Sequence, residues 1–132
     1  MVRVADLEKG NYWRHLGMST IVGADGITRV QLTVSDELLQ FYGNLHGGVI
    51  ASILDSAIAI AVNQQLDPEE GATTVELKIN YLRAISEGTL WGEGKVIKKG
   101  RNLVVAQGEI KNDTGEILAI GTATFMVKQM TR

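Results

Sequence analysis

A single carboxylate lies within a long apolar segment of the chain. From Val49 to Val62 every residue is aliphatic or Ala, apart from Ser52, Asp55 and Ser56. Moving a carboxylate out of water is costly unless it is paired or hydrogen-bonded, so a buried, solitary carboxylate is often kept because it is used. Asp55 is therefore the first candidate for a functional residue.

The segment around Asp55 is long enough for a helix and too long for an ordinary strand. It follows the turn His46-Gly47-Gly48 and contains neither Pro nor Gly from there to Leu66, which predicts one long helix. At about 100° per residue, its apolar face comprises Val49, Ile50, Ile53, Leu54, Ala57, Ile60 and Ala61. The side around Asp55 carries Ala51, Ser52, Ile58, Ala59 and Val62. We therefore expect a helix that is buried on almost every side.

The glycine turn and the carboxylate cannot act together within one helix. His46 and Asp55 are nine positions apart, which is about 13 Å along the axis and roughly half a turn out of phase. The amides of Gly47 and Gly48 lie at the helix N-terminus, where free N–H groups suit a carbonyl oxygen that becomes negative during acyl transfer. Since Asp55 is too far from that end, one substrate can meet both groups only if a second copy of the chain supplies one of them.

The chain before this helix predicts two short helical pieces and a hairpin. Val4–Leu16 has the spacing of one short amphipathic helix. Met18–Ala24 and Ile27–Val34 are typical of two strands joined by a tight turn at Asp25-Gly26. Ser35-Asp36-Glu37 is expected to cap a short helical turn that leads into the glycine turn.

The chain after the helix predicts four strands, namely 73–83, 88–98, 103–111 and 117–128. The short turns between them predict an antiparallel meander. In the first of these strands Val75, Leu77, Ile79 and Tyr81 alternate with polar residues, so we expect them to face the core. The order of elements predicts an α+β fold, with one helix on a curved antiparallel sheet. Because one helix covers only one face of a sheet, we expect at least a dimer.

Composition excludes several classes of protein. A chain of 132 residues with 45% hydrophobic residues predicts one domain over 1–132 with a substantial core. A net charge of −2 provides no basic field for nucleic acid, and the absence of Cys excludes disulfides and a thiolate nucleophile. The two His residues lack metal-ligand spacing, and there is neither a Gly-x-Ser-x-Gly elbow nor a phosphate-binding loop. The charged N-terminus does not resemble a signal peptide and the long helix is too polar to span a membrane. We expect a cytoplasmic protein that binds neither nucleic acid nor membrane.

The spacing of Gln40, His46-Gly47-Gly48 and Asp55 resembles that of the hotdog-fold acyl-CoA thioesterases of the phenylacetic-acid-degradation (PaaI-like) type. Residues 73–83, TTVELKINYLR, resemble the strand that follows in that family. The resemblance covers nearly the whole chain. It implies a hotdog fold, in which a curved antiparallel sheet of five to six strands wraps a long helix, and assembly into a homodimer and often a homotetramer. It also implies hydrolysis of an acyl-CoA thioester, with CoA as part of the substrate and no metal or other cofactor.

The resemblance implies a role for each residue of the pattern. Asp55 matches the acid that acts as general base or nucleophile on the thioester, and Gly47 matches the residue whose N–H polarises the thioester carbonyl. His46 matches a histidine that shapes the turn and can hydrogen-bond near that carbonyl. Thr74 matches a hydroxyl that holds the attacking water near the carboxylate. Gln40 matches an Asn or Gln that lies close to the acyl group.

Further residues are candidates for substrate binding. Asn44 competes with Gln40 for the place near the acyl group, and Gly48 adds an amide at the same helix end. Four basic residues are candidates for the phosphates of CoA, namely Arg83, Lys98, Lys99 and Arg101. Lys98, Lys99 and Arg101 form a cluster at one predicted turn, and such a cluster is also common at a solvated turn.

The sequence leaves other interpretations open. A hotdog domain that binds acyl-CoA or another acyl ligand without hydrolysing it is the main alternative, whereas a dehydratase would need a differently spaced pair of His and acid, which is absent. Asp55 could instead be a structural carboxylate, and His46 could only cap the helix. Aryl, phenylacetyl-type and medium-chain acyl groups all fit the pattern.

Overall fold

The computed structural model describes residues 2–130 and shows an α+β fold in which one long helix packs on a six-stranded antiparallel sheet. The helices are α1 (Val2–Leu7), α2 (Asn11–Leu16) and α3 (Gly47–Asn63), and a 3-10 turn spans Asp36–Leu38. The strands are β1 (Ser19–Val22), β2 (Thr28–Thr33), β3 (Glu70–Tyr81), β4 (Thr89–Lys99), β5 (Leu103–Asn112) and β6 (Ile117–Gln129). Their order in the sheet is β1-β2-β4-β5-β6-β3.

The N-terminal part of the chain differs from the prediction in one respect. The single helix expected over Val4–Leu16 is wrong, because α1 and α2 are separated by a turn that includes Gly10; glycine is unfavourable inside a helix. The hairpin around Asp25-Gly26 is confirmed, with β1 paired to β2. The 3-10 turn Asp36–Leu38 begins where a short helical turn was expected, although the Ser35 side chain makes no capping hydrogen bond.

The predicted meander is correct only for β4, β5 and β6. The strand that follows α3, β3, pairs with β6 at the far edge of the sheet, and β4 pairs with β2 instead. Residues 82–88 connect β3 to β4 and form a link longer than a tight hairpin turn, so these two strands need not be neighbours. As a result β3 is an edge strand.

Helix α3 forms the centre of the core. Ile53, Leu54 and Ile60 of its apolar face are fully buried, and so are Ile58 and Val62 on the side of Asp55. The side around Asp55 differs from the expectation, because Ala51, Ser52 and Ala59 are only half-buried. The sheet covers one side of the helix and leaves this side partly open in the single chain. No helix within residues 2–130 is both long enough and apolar enough to cross a bilayer.

A row of glycines sets the distance between α3 and the sheet. Gly94, Gly108 and Gly121 are neighbours in register across β4, β5 and β6. A Cβ atom on Gly94 would lie 2.6 Å from the carbonyl oxygen of Ala57, and one on Gly121 would lie 2.7 Å from Leu54 Cδ2. Any side chain in this row would push the helix away from the sheet. The row therefore fixes where the functional side of α3 lies relative to the strands.

Candidate active site

Asp55 and Thr74 are brought together by the packing of β3 on α3. Thr74 Oγ1 donates a hydrogen bond of 2.8 Å to Asp55 Oδ1. Asp55 Oδ2 has no hydrogen-bond partner within residues 2–130. The carboxylate is half-buried in the single chain, which is less than the sequence led us to expect. One oxygen is therefore held in place while the other is free to accept a proton or to attack a substrate.

The surroundings of Asp55 change its acidity in two opposing ways. Burial raises the pKa of the carboxyl above its ordinary value, because the charged form loses contact with water. The hydrogen bond from Thr74 lowers this pKa, since it stabilises the carboxylate, but burial is the larger effect. A carboxylate with a raised pKa is a stronger base than an exposed one, as general-base catalysis requires.

A β-bulge turns Thr74 towards α3. The register between β3 and β6 shifts between Thr74 and Glu76. An extra residue in one strand reverses the faces that the side chains take beyond it. Ala72 packs against the core on one side of the bulge and Leu77 on the other, although five positions separate them and strict alternation would place them on opposite faces. The bulge thus allows the Thr74 hydroxyl to reach Asp55.

The same bulge explains one error in the predicted core. Val75 is the extra residue of the bulge and is 55% exposed, and Tyr81 at the end of β3 is 51% exposed. Leu77 and Ile79 pack against the core as predicted. Local alternation placed all four residues on one face, but the alternation is interrupted at Val75 and the strand ends at Tyr81.

His46 caps α3. Its Nδ1 atom accepts a hydrogen bond of 2.8 Å from the backbone N–H of Gly48. A Cβ atom on Gly48 would lie 2.9 Å from this Nδ1, so the cap requires glycine there. The single chain thus shows His46 in the role of a helix cap, which the sequence left open as an alternative. The Gly48 amide is used by this cap, which leaves it unavailable to a substrate.

Gly47 carries the free amide of the helix end. The carbonyl oxygen of His46 accepts from the N–H groups of Val49 at 2.9 Å and Ile50 at 3.3 Å. Since C=O and N–H point in opposite directions in a trans peptide, the Gly47 N–H points away from the helix. It has no acceptor among the residues that the structure describes. Gly47 is therefore the amide that can receive a carbonyl oxygen.

Tyr81 is a contact of Gly47 that sequence reasoning did not identify. Its hydroxyl donates a hydrogen bond of 2.8 Å to the carbonyl oxygen of Gly47. Its ring lies 3.4 Å from the place where a Cβ atom of Gly47 would be. Tyr81 and Gly47 are far apart in sequence, so only the course of β3 along α3 reveals the contact.

Gln40 organises the turn that leads into α3. Gln40 Oε1 accepts from the N–H of Tyr42 at 2.6 Å and from that of Asn44 at 3.4 Å. The N–H of Gln40 donates to the carbonyl of Asn44 at 2.7 Å. Because the side-chain oxygen is used within the turn, the Nε2 group of Gln40 is the part that can reach a ligand. Phe41 and Tyr42 stand on this turn almost fully exposed.

The basic candidates occupy two places in the fold. Arg83 forms an ion pair with Glu116 at 3.1 Å. Lys98, Lys99 and Arg101 are exposed around the turn between β4 and β5. Arg83 follows β3, so the structure does not join it to the cluster at the β4–β5 turn.

The fold and the residues on α3 define a class of protein. A long helix packed on a six-stranded antiparallel sheet in this order is the hotdog fold, and the predicted fold class is confirmed by superposition on solved thioesterases. A Haemophilus influenzae thioesterase superposes with a TM-score of 0.88 at 21% identity, covering 96% of this chain and 89% of that one. A thioesterase family protein from Silicibacter pomeroyi superposes with a TM-score of 0.85 at 30% identity, covering 96% of both chains.

Comparisons of sequence identify the family. The family model of the Thioesterase superfamily matches residues 42–119, so the chain belongs to that superfamily. A Deinococcus radiodurans protein, provisionally named an esterase, is 34% identical over 126 residues, which is 92% of this chain and 84% of that protein. The 1,4-dihydroxy-2-naphthoyl-CoA hydrolase of Listeria monocytogenes is 27% identical over 114 residues, or 86% of this chain and 93% of the hydrolase. The expected PaaI-like subtype stays a prediction.

Proposed function

We propose that this protein hydrolyses an acyl-CoA thioester to the free acid and CoA. The observation that carries the proposal is the half-buried Asp55 carboxylate: Thr74 holds one oxygen, and the other has no partner within residues 2–130. The similar Listeria monocytogenes protein is named a CoA-thioester hydrolase. A Bacillus halodurans protein that superposes with a TM-score of 0.85 at 25% identity, covering 98% of this chain and 91% of that one, was solved with CoA.

The chemistry requires one base or nucleophile and one donor. The thioester carbonyl oxygen accepts a hydrogen bond from the Gly47 N–H at the positive end of α3, where negative charge is stabilised as it develops. Asp55 removes a proton from a water that attacks the carbonyl carbon, or attacks that carbon itself to form a mixed anhydride that water then opens. In either route the C–S bond breaks and the CoA thiolate takes up a proton. The proposed steps need no metal or redox cofactor.

One chain does not hold both groups in reach of one carbonyl. Gly47 and Asp55 are eight positions apart on α3, which is about 12 Å along the helix. We expect a homodimer in which Asp55 of one subunit faces Gly47 of the partner subunit. The half-buried side of α3 around Asp55 is then the side that the partner covers.

The edge strand β3 offers a way to build this dimer. It has 12 residues, and within the described part of the chain only one of its edges is paired. A long unpaired edge favours pairing with another chain. If two β3 strands pair antiparallel about Lys78, Leu77 of one lies opposite Ile79 of the other, and the extra residue Val75 then brings Thr74 of one opposite Tyr81 of the other. Because Thr74 contacts Asp55 and Tyr81 contacts Gly47, this pairing brings the two halves of the site together.

Substrate binding is distributed over other parts of the chain. The Nε2 group of Gln40 is proposed to donate to the acyl part of the substrate, with Asn44 near it. The exposed cations Lys98, Lys99 and Arg101 are proposed to contact the phosphates of CoA, for which their side chains are suited. Arg83 is the weaker candidate because Glu116 already neutralises it. A homotetramer built from two such dimers also stays a prediction.

A thiol-release assay with a panel of acyl-CoA thioesters tests the proposal. We expect the wild-type protein to release CoA thiol from at least one aryl, phenylacetyl or medium-chain thioester. Replacement of Asp55 by Ala is expected to lower kcat by at least about 100-fold while the dimer persists. Binding of acyl-CoA without any release of thiol by the wild-type protein would instead establish the non-catalytic binding module.

A further inference from the structure

A chain of hydrogen bonds passes through the peptide group between Gly47 and Gly48. The Tyr81 hydroxyl donates to the carbonyl oxygen of this peptide at 2.8 Å. The N–H of the same peptide donates to His46 Nδ1 at 2.8 Å. Both polar ends of one peptide group are therefore held by side chains, one from β3 and one from the turn before α3. Hydrogen bonds in such a series polarise and strengthen one another.

This series of hydrogen bonds specifies the tautomer of the neutral His46 ring. A nitrogen that accepts a hydrogen bond carries no proton, so in the neutral ring the proton is on Nε2. A doubly protonated ring has no acceptor and cannot make this cap. His46 is therefore held as the Nε2–H tautomer as long as the Gly48 amide points at Nδ1.

We propose that Tyr81 is a positioning residue for the amide that polarises the substrate carbonyl. Its hydroxyl holds the Gly47–Gly48 peptide in place. Because that peptide is also bound to His46, the preceding His46–Gly47 peptide, which carries the Gly47 N–H, is held in place as well. The proposal rests on the function proposed above, because it assigns a task to that free N–H. It concerns a residue on the edge strand, so it also joins the site to the strand at which the two subunits are expected to pair.

The fold alone does not require the Tyr81 hydroxyl. The side chain is half-exposed, and the Gly47 carbonyl also has the regular helical partner four residues on, Ala51. The aromatic ring, which lies 3.4 Å from the place of a Gly47 Cβ atom, is retained in phenylalanine. Removal of the hydroxyl therefore takes away one hydrogen bond to this peptide group without removing the packing around it.

The expected kinetic effect follows from when the amide acts. The carbonyl oxygen gains negative charge only as the carbonyl is attacked, so a less firmly held donor weakens the transition state more than the bound substrate. A neutral hydrogen bond of this kind corresponds to a change of about 3- to 10-fold in rate. The change is expected in kcat, with KM almost unaffected.

A comparison of two tyrosine variants tests the proposal. Tyr81→Phe is the test, and Tyr12→Phe is the matched control, because the Tyr12 hydroxyl also bonds to α3, at 2.7 Å, but ends on the side chain of Ser52. We expect Tyr81→Phe to lower kcat by about 3- to 10-fold with KM within about twofold, and Tyr12→Phe to leave both constants near wild type. Both variants are assayed as purified full-length protein below their melting temperatures.

Each other outcome has a defined meaning. The positioning role is overturned if Tyr81→Phe keeps the wild-type kcat or changes only KM. It is also overturned if Tyr12→Phe loses as much kcat as Tyr81→Phe. If the wild-type protein releases no thiol from any acyl-CoA, the proposed function fails first and the kinetic comparison is not made. The ¹⁵N spectrum of the His46 ring in the wild-type protein tests the hydrogen-bonded chain without activity: a proton on Nε2 supports it, and a proton on Nδ1 in the neutral ring overturns it.

Discussion

Replacement of Gly47 by Pro and by Ala separates the amide from the side chain at this position. Proline removes the backbone donor and adds a ring, whereas alanine keeps the donor and adds only a Cβ atom. Gly47 is the first residue of α3 and follows the cap His46, and the first helical position is where proline is best tolerated. The extended conformation of His46, with φ −59° and ψ 135°, is also the one that a following proline requires.

The magnitude follows from the hydrogen bonds at the helix end. The amides of Gly48, Val49 and Ile50 are all bound to His46, so within the described chain the Gly47 N–H is the one amide of this turn left for the substrate. Loss of one such donor costs about 100- to 1,000-fold in kcat. A Cβ atom would meet the Tyr81 ring at 3.4 Å, an ordinary contact, so we expect Gly47→Ala to stay within about tenfold of wild type.

The assay is release of CoA thiol under saturating acyl-CoA, with the melting temperature of each variant measured alongside. The account predicts that Gly47→Pro is folded and at least about tenfold slower than Gly47→Ala. Equal rates for the two folded variants would show that the Gly47 N–H does not take part, and the proposed placement of the carbonyl would have to be abandoned.

Two further predictions follow from the opposing effects on the pKa of Asp55. Because the base acts as a carboxylate, kcat/KM rises with pH through this pKa. Thr74→Val removes the hydrogen bond that lowers the pKa, so the acid limb of the pH profile should move to higher pH. A shift of that limb to lower pH would refute the assignment. The raised pKa also means that the folded state loses stability as pH rises from the ordinary value of 3.8 through the folded value. Asp55→Asn should therefore raise the melting temperature more at pH 7 than at pH 3, measured at one protein concentration, and a larger gain at pH 3 would contradict the argument.

The sequence predicts the elements of this fold well because their signals are local. The apolar run that contains Asp55 indicates α3, and the Asp25-Gly26 turn indicates the first hairpin. The position of β3 at the edge of the sheet is not encoded in any local pattern. Strand alternation gives the faces of residues but not the neighbours of a strand, and the link 82–88 fits either edge.

The candidate site was predicted in part. The pairing of Asp55 with Thr74 agrees with the predicted proximity, although it depends on a bulge at Val75 that alternation cannot reveal. The interpretation of His46 as a cap follows from an Nδ1 atom that only the folded turn directs at an amide. Tyr81 was missed because its contact with Gly47 exists only after β3 has packed beside α3.

The central claim, that the carboxylate and the amide act from different subunits, is tested most directly by mixing Asp55→Ala with Gly47→Pro. Each variant alone is expected to form an inactive homodimer. After subunits are exchanged by unfolding and refolding an equal mixture, half of the dimers are mixed and each of these holds one intact site, so the account predicts recovery of about a quarter of wild-type activity. If both groups act within one chain, every site in the mixed dimers is damaged, and activity that remains at the level of the separate variants would contradict the account.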